Sequence, residues 1–235
     1  MKLFVAFLFT LSTLIVKNTF AQEWQSFRSG GNDGVLPIFT SVATDTASNY
    51  IFGGTFTGTK FIENNISITS AGNSDCFIAK YDSLNNYAWV RRFGGTSADA
   101  LNQVLVHTDG TIYVTGVFSG SISFGTASLS STGSQDMFVA KYSKDGVYLW
   151  SARVGGTGFD ENPKMALDTS GNVFFSCTFT NSISVGSTSI TSSGNKDALV
   201  AKYSPTGTVL WTLKLGGLGI DVSNGIKTDY LGNIY

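Results

Sequence analysis

Asp136-Met-Phe-Val-Ala-Lys-Tyr142 decides how this chain is read, because it is one of three. It occurs as Asp75-Cys-Phe-Ile-Ala-Lys-Tyr81 sixty-one residues upstream and as Asp197-Ala-Leu-Val-Ala-Lys-Tyr203 sixty-one residues downstream. Each is followed by a Trp and a Gly-Gly pair: Trp89 with Gly94-Gly95, Trp150 with Gly155-Gly156, Trp211 with Gly216-Gly217. Trp24 precedes Gly30-Gly31 in the same manner. Self-similarity at a fixed period means one supersecondary unit copied in series, each copy burying its apolar face against a neighbour. A tryptophan that keeps this register is read as a packing element between copies rather than a binding residue.

Within one copy the pattern is β throughout. Val104–His107 leads through Thr108-Asp-Gly-Thr111 into Ile112–Phe118; a small hairpin follows, Ile122–Gly125 and Ser128–Ser131; then come Met137–Tyr142 and Val147–Val154, joined through Lys144-Asp-Gly146. Short runs rich in β-branched and aromatic residues, punctuated by Gly, Asp, Asn and Ser, are strand and hairpin signals. The expectation is an all-β chain, a β-propeller of four-stranded repeats of about 61 residues, each with one inserted hairpin.

The ends bear on closure. Lys2, an apolar run from Leu3 to Val16, and Thr19-Phe20-Ala21 read as a secretory signal peptide over residues 1–21, cleaved after Ala21. Residues 22–31 then supply one outer, Trp24-bearing strand, the device by which a propeller ring closes. Full repeats are expected at about 34–95, 96–156 and 157–217, with a partial one at 218–235; Asn233-Ile-Tyr235 matches Thr111-Ile-Tyr113, so the sequence reads as a fragment with three complete blades and parts of others.

Charge narrows the partners. Without Lys2 and Lys17 the formal net charge goes from −1 to −3, and only 13% of residues are charged. No basic stripe suits a nucleic acid, and no later run is long and apolar enough for the mature chain to insert in a bilayer. Cys76 and Cys177 stand at different points of non-adjacent copies and are read as small buried hydrophobes rather than a disulfide.

The pattern Asp-x-Phe-Val-Ala-Lys-Tyr, then Leu-Trp, Gly-Gly-Thr-Gly-x-Asp and Asp-x-x-Gly-Asn, carried best by Asp136–Gly158, Asp160 and Asp168–Phe174, resembles the bacterial SBBP (seven-bladed β-propeller) repeat. The resemblance covers nearly the whole mature chain, and the longer repeat with its inserted hairpin departs from it. It implies an exported propeller, often within a larger secreted or cell-surface protein that carries a C-terminal sorting domain. It implies no catalytic residue set.

Candidate chemistry is sparse. The single histidine, His107, fills the slot held by Asp45, Asp168 and Asp229 at the first hairpin turn, and is read as a turn residue beside Asp109. Gly155-Gly-Thr-Gly-Phe-Asp160 resembles the start of a calcium-binding nonapeptide but recurs every sixty-one residues instead of every nine, so Asp99, Asp160 and Asp221 are read as unpaired connector residues. Asp75, Asp136 and Asp197 are expected to cap their own loops, and Lys80, Lys141 and Lys202 to be solvated. Function is sought where copies differ: Asn162-Pro-Lys164, Arg91-Arg92 and Glu63-Asn-Asn65. No residue is assigned a catalytic, cofactor-binding or metal-ligating role, and no cofactor is expected. The reading is an exported, non-enzymatic scaffold that binds a protein or glycan at the cell surface or outside the cell. The alternative is an extracellular propeller enzyme, a polysaccharide hydrolase or lyase, with catalytic residues partly in blades beyond this sequence.

Overall fold

Every residue of Asp75–Tyr81 and of Asp136–Tyr142 is buried, and Asp197–Tyr203 is nearly so. A strand covered on both faces has to lie inside its sheet and between neighbouring sheets, and the apolar run of the repeated motif is the sequence form of that position. The computed structural model describes residues 36–63 and 66–235. The signal peptide, the closing strand with Trp24, and Asn64-Asn65 lie outside the described residues.

The first repeat contributes β1 (Ile38–Thr44), β2 (Tyr50–Phe56), a hairpin of β3 (Thr59–Glu63) and β4 (Ile66–Thr69), β5 (Asp75–Tyr81) and β6 (Tyr87–Phe93). The second contributes β7 (Asp99–Val106), β8 (Ile112–Phe118), the hairpin β9 (Ser121–Ser123) and β10 (Ser128–Ser130), β11 (Asp136–Tyr142) and β12 (Tyr148–Gly156). The third contributes β13 (Asp160–Leu167), β14 (Val173–Phe179), the hairpin β15 (Ser182–Val185) and β16 (Thr188–Thr191), β17 (Asp197–Tyr203) and β18 (Val209–Leu215). In each repeat four strands form an antiparallel up-and-down sheet: β1-β2-β5-β6, β7-β8-β11-β12 and β13-β14-β17-β18. No helix occurs among the described residues. The first strands begin earlier than the apolar pattern suggests: β7 starts at Asp99, because a fully buried carboxyl there opens the strand.

The inserted hairpin does not widen its own sheet. It reaches back to the outer strand of the repeat before it: Val154, Gly155 and Gly156 of β12 pair with Val185, Ser184 and Ile183 of β15, which makes that sheet six-stranded. One junction earlier the same contact is a single bridge, Gly94 with Ser123, closed by two 3.1 Å backbone hydrogen bonds. A side chain on Gly95 or Gly156 would put its Cβ 1.7 or 1.8 Å from the carbonyl oxygen of Ser121 or Ser182, so only glycine admits the hairpin.

The cores lie between sheets. Ile51, Cys76, Ile78, Trp89 and Phe93 of the first repeat share one cluster with Leu101, Val104, Phe118, Phe138 and Tyr142 of the second. Tyr113, Met137, Val139 and Val154 of the second join Met165, Phe175, Cys177, Leu199 and Tyr203 of the third. Cys76 and Cys177 are buried in different clusters and free, and burial raises both thiol pKa values well above normal. Neither repeat could bury these side chains alone, the thermodynamic signature of a repeat array.

Candidate functional site

The innermost strands of the three sheets are β1, β7 and β13, and polar side chains stitch them together. Ser41 Oγ accepts from the Val104 amide at 2.9 Å; Gln103 Oε1 accepts from the Met165 amide at 2.7 Å while its Nε2 donates to the Met165 carbonyl at 3.2 Å. Each inner strand carries a register shift at one place: between Phe39 and Ser41, Leu101 and Gln103, and Glu161 and Lys164. Asn162 adopts φ 57° there, and Pro163 sits where the ladder has lost its need for an N–H donor. The side chain of Lys164, placed like Ser41 and Gln103, has no ion pair or hydrogen bond among the described residues. Beyond β14, β17 and β18, a cleft of about 540 Å³ is lined by Ser176, Val200, Leu215, Ile226 and Tyr235, among others.

The other symmetry breaks belong to the scaffold. Arg91 donates from Nε to the Gly146 carbonyl at 2.8 Å and from Nη2 to the Asp145 carbonyl at 3.2 Å, with its guanidinium over the Trp89 ring. Arg92 is ion-paired with Asp75. This second arginine is no break at all: Arg153 pairs with Asp136 at 2.6 Å and Lys214 with Asp197 at 3.3 Å in the other copies. Glu63 is exposed at the end of β3, and the rest of its tip lies outside the described residues.

The lysines expected to be solvated are instead largely covered. Lys80 pairs with Asp45 at 2.9 Å and Lys202 with Asp168 at 3.3 Å. In the second repeat the carboxylate of that slot is replaced by His107, and Lys141 bonds the Pro205 carbonyl at 3.1 Å and lies over the Tyr113 ring. His107 is a turn residue, but the carboxylate that fixes the turn has moved to Asp109, which accepts from the Thr111 amide at 2.8 Å and hydroxyl at 2.7 Å. His107 Nδ1 lies 3.0 Å from Asp109 Oδ1, and Nε2 faces the Thr169 carbonyl at 3.3 Å. Burial acts to raise the Asp109 pKa, yet the Thr111 hydrogen bonds and the histidine outweigh it and hold it at about 2.

Trp89 and Trp150 pack between copies, as their register demands, and Trp24 lies outside the described residues. Gly146 lies over Trp89 and Gly207 over Trp150, each in the turn before the next outer strand, and Trp150 Nε1 donates to the Pro205 carbonyl at 3.0 Å. Trp211, with no such turn above it among the described residues, is 38% exposed.

The acidic residues need one correction. Asp75, Asp136 and Asp197 do cap their loops, accepting from the amides of Ala71, Thr132 and Ser193. Asp99, Asp160 and Asp221 do bind the second connector glycine, accepting from Gly95, Gly156 and Gly217 at 2.7–2.8 Å. But they are not unpaired. Asp75 lies against Gly94 while Asp99 binds the amide of Gly95, and Asp136 lies against Gly155 while Asp160 binds the amide of Gly156, so each junction brings two carboxyls to one glycine pair. At the third, Asp197 Oδ1 and Asp221 Oδ2 both come within 2.9 Å of the point where Gly216 would carry a Cβ. Spacing concealed these pairs, because strand and connector are brought together only when the sheet returns. Burial, then the neighbouring aspartate, raises the pKa of Asp99 to about 7 and of Asp160 to about 6. Two carboxyls with one pKa raised are the makings of acid–base catalysis. Asp75, Asp99, Asp136 and Asp160 are all 0% exposed, however, so no substrate reaches them. Among the described residues no group of three or more His, Cys, Asp or Glu could hold a metal ion.

Comparison with known proteins agrees with the architecture. No protein-family model matches the chain. An uncharacterized WD repeat-containing protein of Acanthamoeba polyphaga mimivirus is 29% identical over 177 residues, 67% of this chain and 13% of that protein. The regulatory protein FlaEY of Caulobacter vibrioides is 28% identical over 153 residues, 62% of this chain and 16% of that protein. The chain is a β-propeller-like repeat protein. It spans a small part of the length of both relatives, and no helix among its described residues is long and apolar enough to cross a membrane.

Proposed function

We propose that this chain is part of an exported, non-catalytic β-propeller of the SBBP type that binds a protein or glycan through its inner strands. One observation carries the reading. The charged side chains of the repeat are used at the blade junctions, as Arg91, Arg92, Arg153 and Lys80 show, whereas Lys164 on inner strand β13 is left without an ion-pair partner among the described residues. Inner strands supply the loops at the channel mouths of propellers, where ligand sites assemble from several blades. A cation without an ion-pair partner, at the register position of Ser41 and Gln103, suits a ligand with a carboxylate, as on an acidic peptide or a uronate-containing glycan. The WD-repeat name of the viral relative supports a scaffold role, and the leader-like sequence pattern of residues 1–21 supports export.

The test is expression of the full chain with its leader in a bacterial host, followed by the N-terminal mass of the exported product and its binding to acidic glycans and acidic peptides. The expected product begins at Gln22 and binds one class saturably, and Lys164→Ala weakens that binding at least tenfold with no change in stability. Turnover of a polysaccharide by the purified protein would overturn the non-catalytic reading in favour of a hydrolase or lyase.

A further inference from the structure

Two carboxyls and one cation gather at each of the first two blade junctions. At the first, Asp75 on β5 is ion-paired with Arg92 on β6 and Asp99 on β7 binds the adjoining connector amide; at the second, Asp136 on β11 is ion-paired with Arg153 on β12 and Asp160 on β13 binds the adjoining connector amide. All four carboxyls are fully buried. Their strand neighbours are aromatic: Asp75 lies opposite Phe56, Asp99 and Asp136 opposite Phe118, and Asp160 opposite Phe179. In every one of them Oδ2 is satisfied, by a loop amide and the guanidinium or by a connector amide, while Oδ1 has no hydrogen-bond partner. The carboxyls are also close. Asp75 touches Gly94 and Asp99 binds the amide of Gly95; Asp136 touches Gly155 and Asp160 binds the amide of Gly156.

A buried anion without a counter-charge or a donor is costly, and two carboxylates beside a single guanidinium leave one such charge per junction. We propose that each of these two junctions holds one proton on its carboxyl pair, so that mild acidification tightens the blades against one another and alkali loosens them. The Cys76 thiol faces the first pair and the Cys177 thiol faces Asp160; burial raises both thiol pKa values well above normal, so neither supplies a counter-charge.

The direction in pH follows. Asp99 and Asp160 bind a proton more tightly folded than unfolded, with folded values of about 7 and about 6 against 3.8. Their contribution to stability is complete below the unfolded value and is lost as pH rises through the folded ones. Asp45, Asp109, Asp168 and Asp197 act in the opposite sense, because hydrogen bonds and cationic neighbours outweigh burial and lower their pKa values. Their contribution is present above the unfolded value and is lost as pH falls through the folded ones. The window from pH 5 to pH 8 therefore leaves those carboxylates ionised, and the Asn variants report which part of the dependence belongs to the junction pairs.

The experiment is denaturant unfolding of the full chain across that window, with Asp99→Asn and Asp160→Asn, separately and together, alongside. The native protein is expected to have an unfolding constant at least about tenfold smaller at pH 5 than at pH 8. The double variant is expected to lose most of that dependence while matching or exceeding the native protein at pH 8. A flat native profile, or an unchanged slope in the double variant, overturns the proposal. If the variants fail to fold, carboxyl infrared bands of the native protein decide it: protonated carboxyl absorbance present at pH 5 and gone by pH 8 supports the shared proton, and its absence at pH 5 overturns it. Stabilisation at pH 8 by calcium chloride beyond that of sodium chloride at equal ionic strength would assign the pair to a cation instead.

Discussion

At the residue scale, the Gly-Gly pair illustrates how one dipeptide can answer two constraints. A Cβ on Gly155 would stand 2.3 Å from Asp136 Cγ, and one on Gly156 would stand 1.8 Å from the Ser182 carbonyl oxygen. The first glycine makes room for the strand carboxylate and the second for the next repeat's hairpin. Gly155→Ala and Gly156→Ala should each cost ~1–3 kcal/mol in chemical denaturation, because neither neighbour is a flexible side-chain end. Gly217→Ala is the control: nothing lies within 4 Å of its Cβ position, and stability should stay within about 0.5 kcal/mol of the parent. His107→Asp should be stabilising by about 0.5–1 kcal/mol, since it returns to Lys141 the carboxylate that Lys80 and Lys202 possess. A midpoint that falls in that variant would mean that the His107 contact with Asp109 matters more than the lysine pair.

At the scale of elements, the outer strand and the turn of the following repeat form one unit of contact. Trp150 is packed against Gly207 and hydrogen-bonded to Pro205, so Trp150→Ala should lose about 3 kcal/mol through a cavity between sheets. Trp211→Ala, at a position 38% exposed, should lose less than about 1 kcal/mol by the same measurement. Equal losses at the two sites would show that the inter-sheet contact contributes little. The repeat period and the strand signals were legible in the sequence, down to the small hairpin. Where that hairpin docks was not, because Ile183 and Val185 declare an apolar face but say nothing about which sheet edge receives it.

At the scale of the whole molecule, cores shared between repeats make stability a sum of nearest-neighbour terms. Hydrogen exchange should therefore grade along the chain: the amides of β12 at Val154–Gly156, bound by β15, should exchange more slowly than those at the end of β18, which has no hairpin on its edge among the described residues. Uniform exchange across the three outer strands would argue against the hairpin as a clasp between blades.

The sequence by itself determined the period, the all-β class, the four-stranded unit, the packing role of Trp89 and Trp150 and the turn role of His107. These are consequences of local pattern, which repeats wherever the same strand meets the same neighbours. Only the tertiary structure decided that Asp75 meets Asp99, that Arg91 reaches Gly146, and that the connector glycines accommodate a carboxylate and a hairpin. Each of these contacts joins residues from different strands, and most join different repeats, and their proximity exists only once sheets stack and bury charge between them.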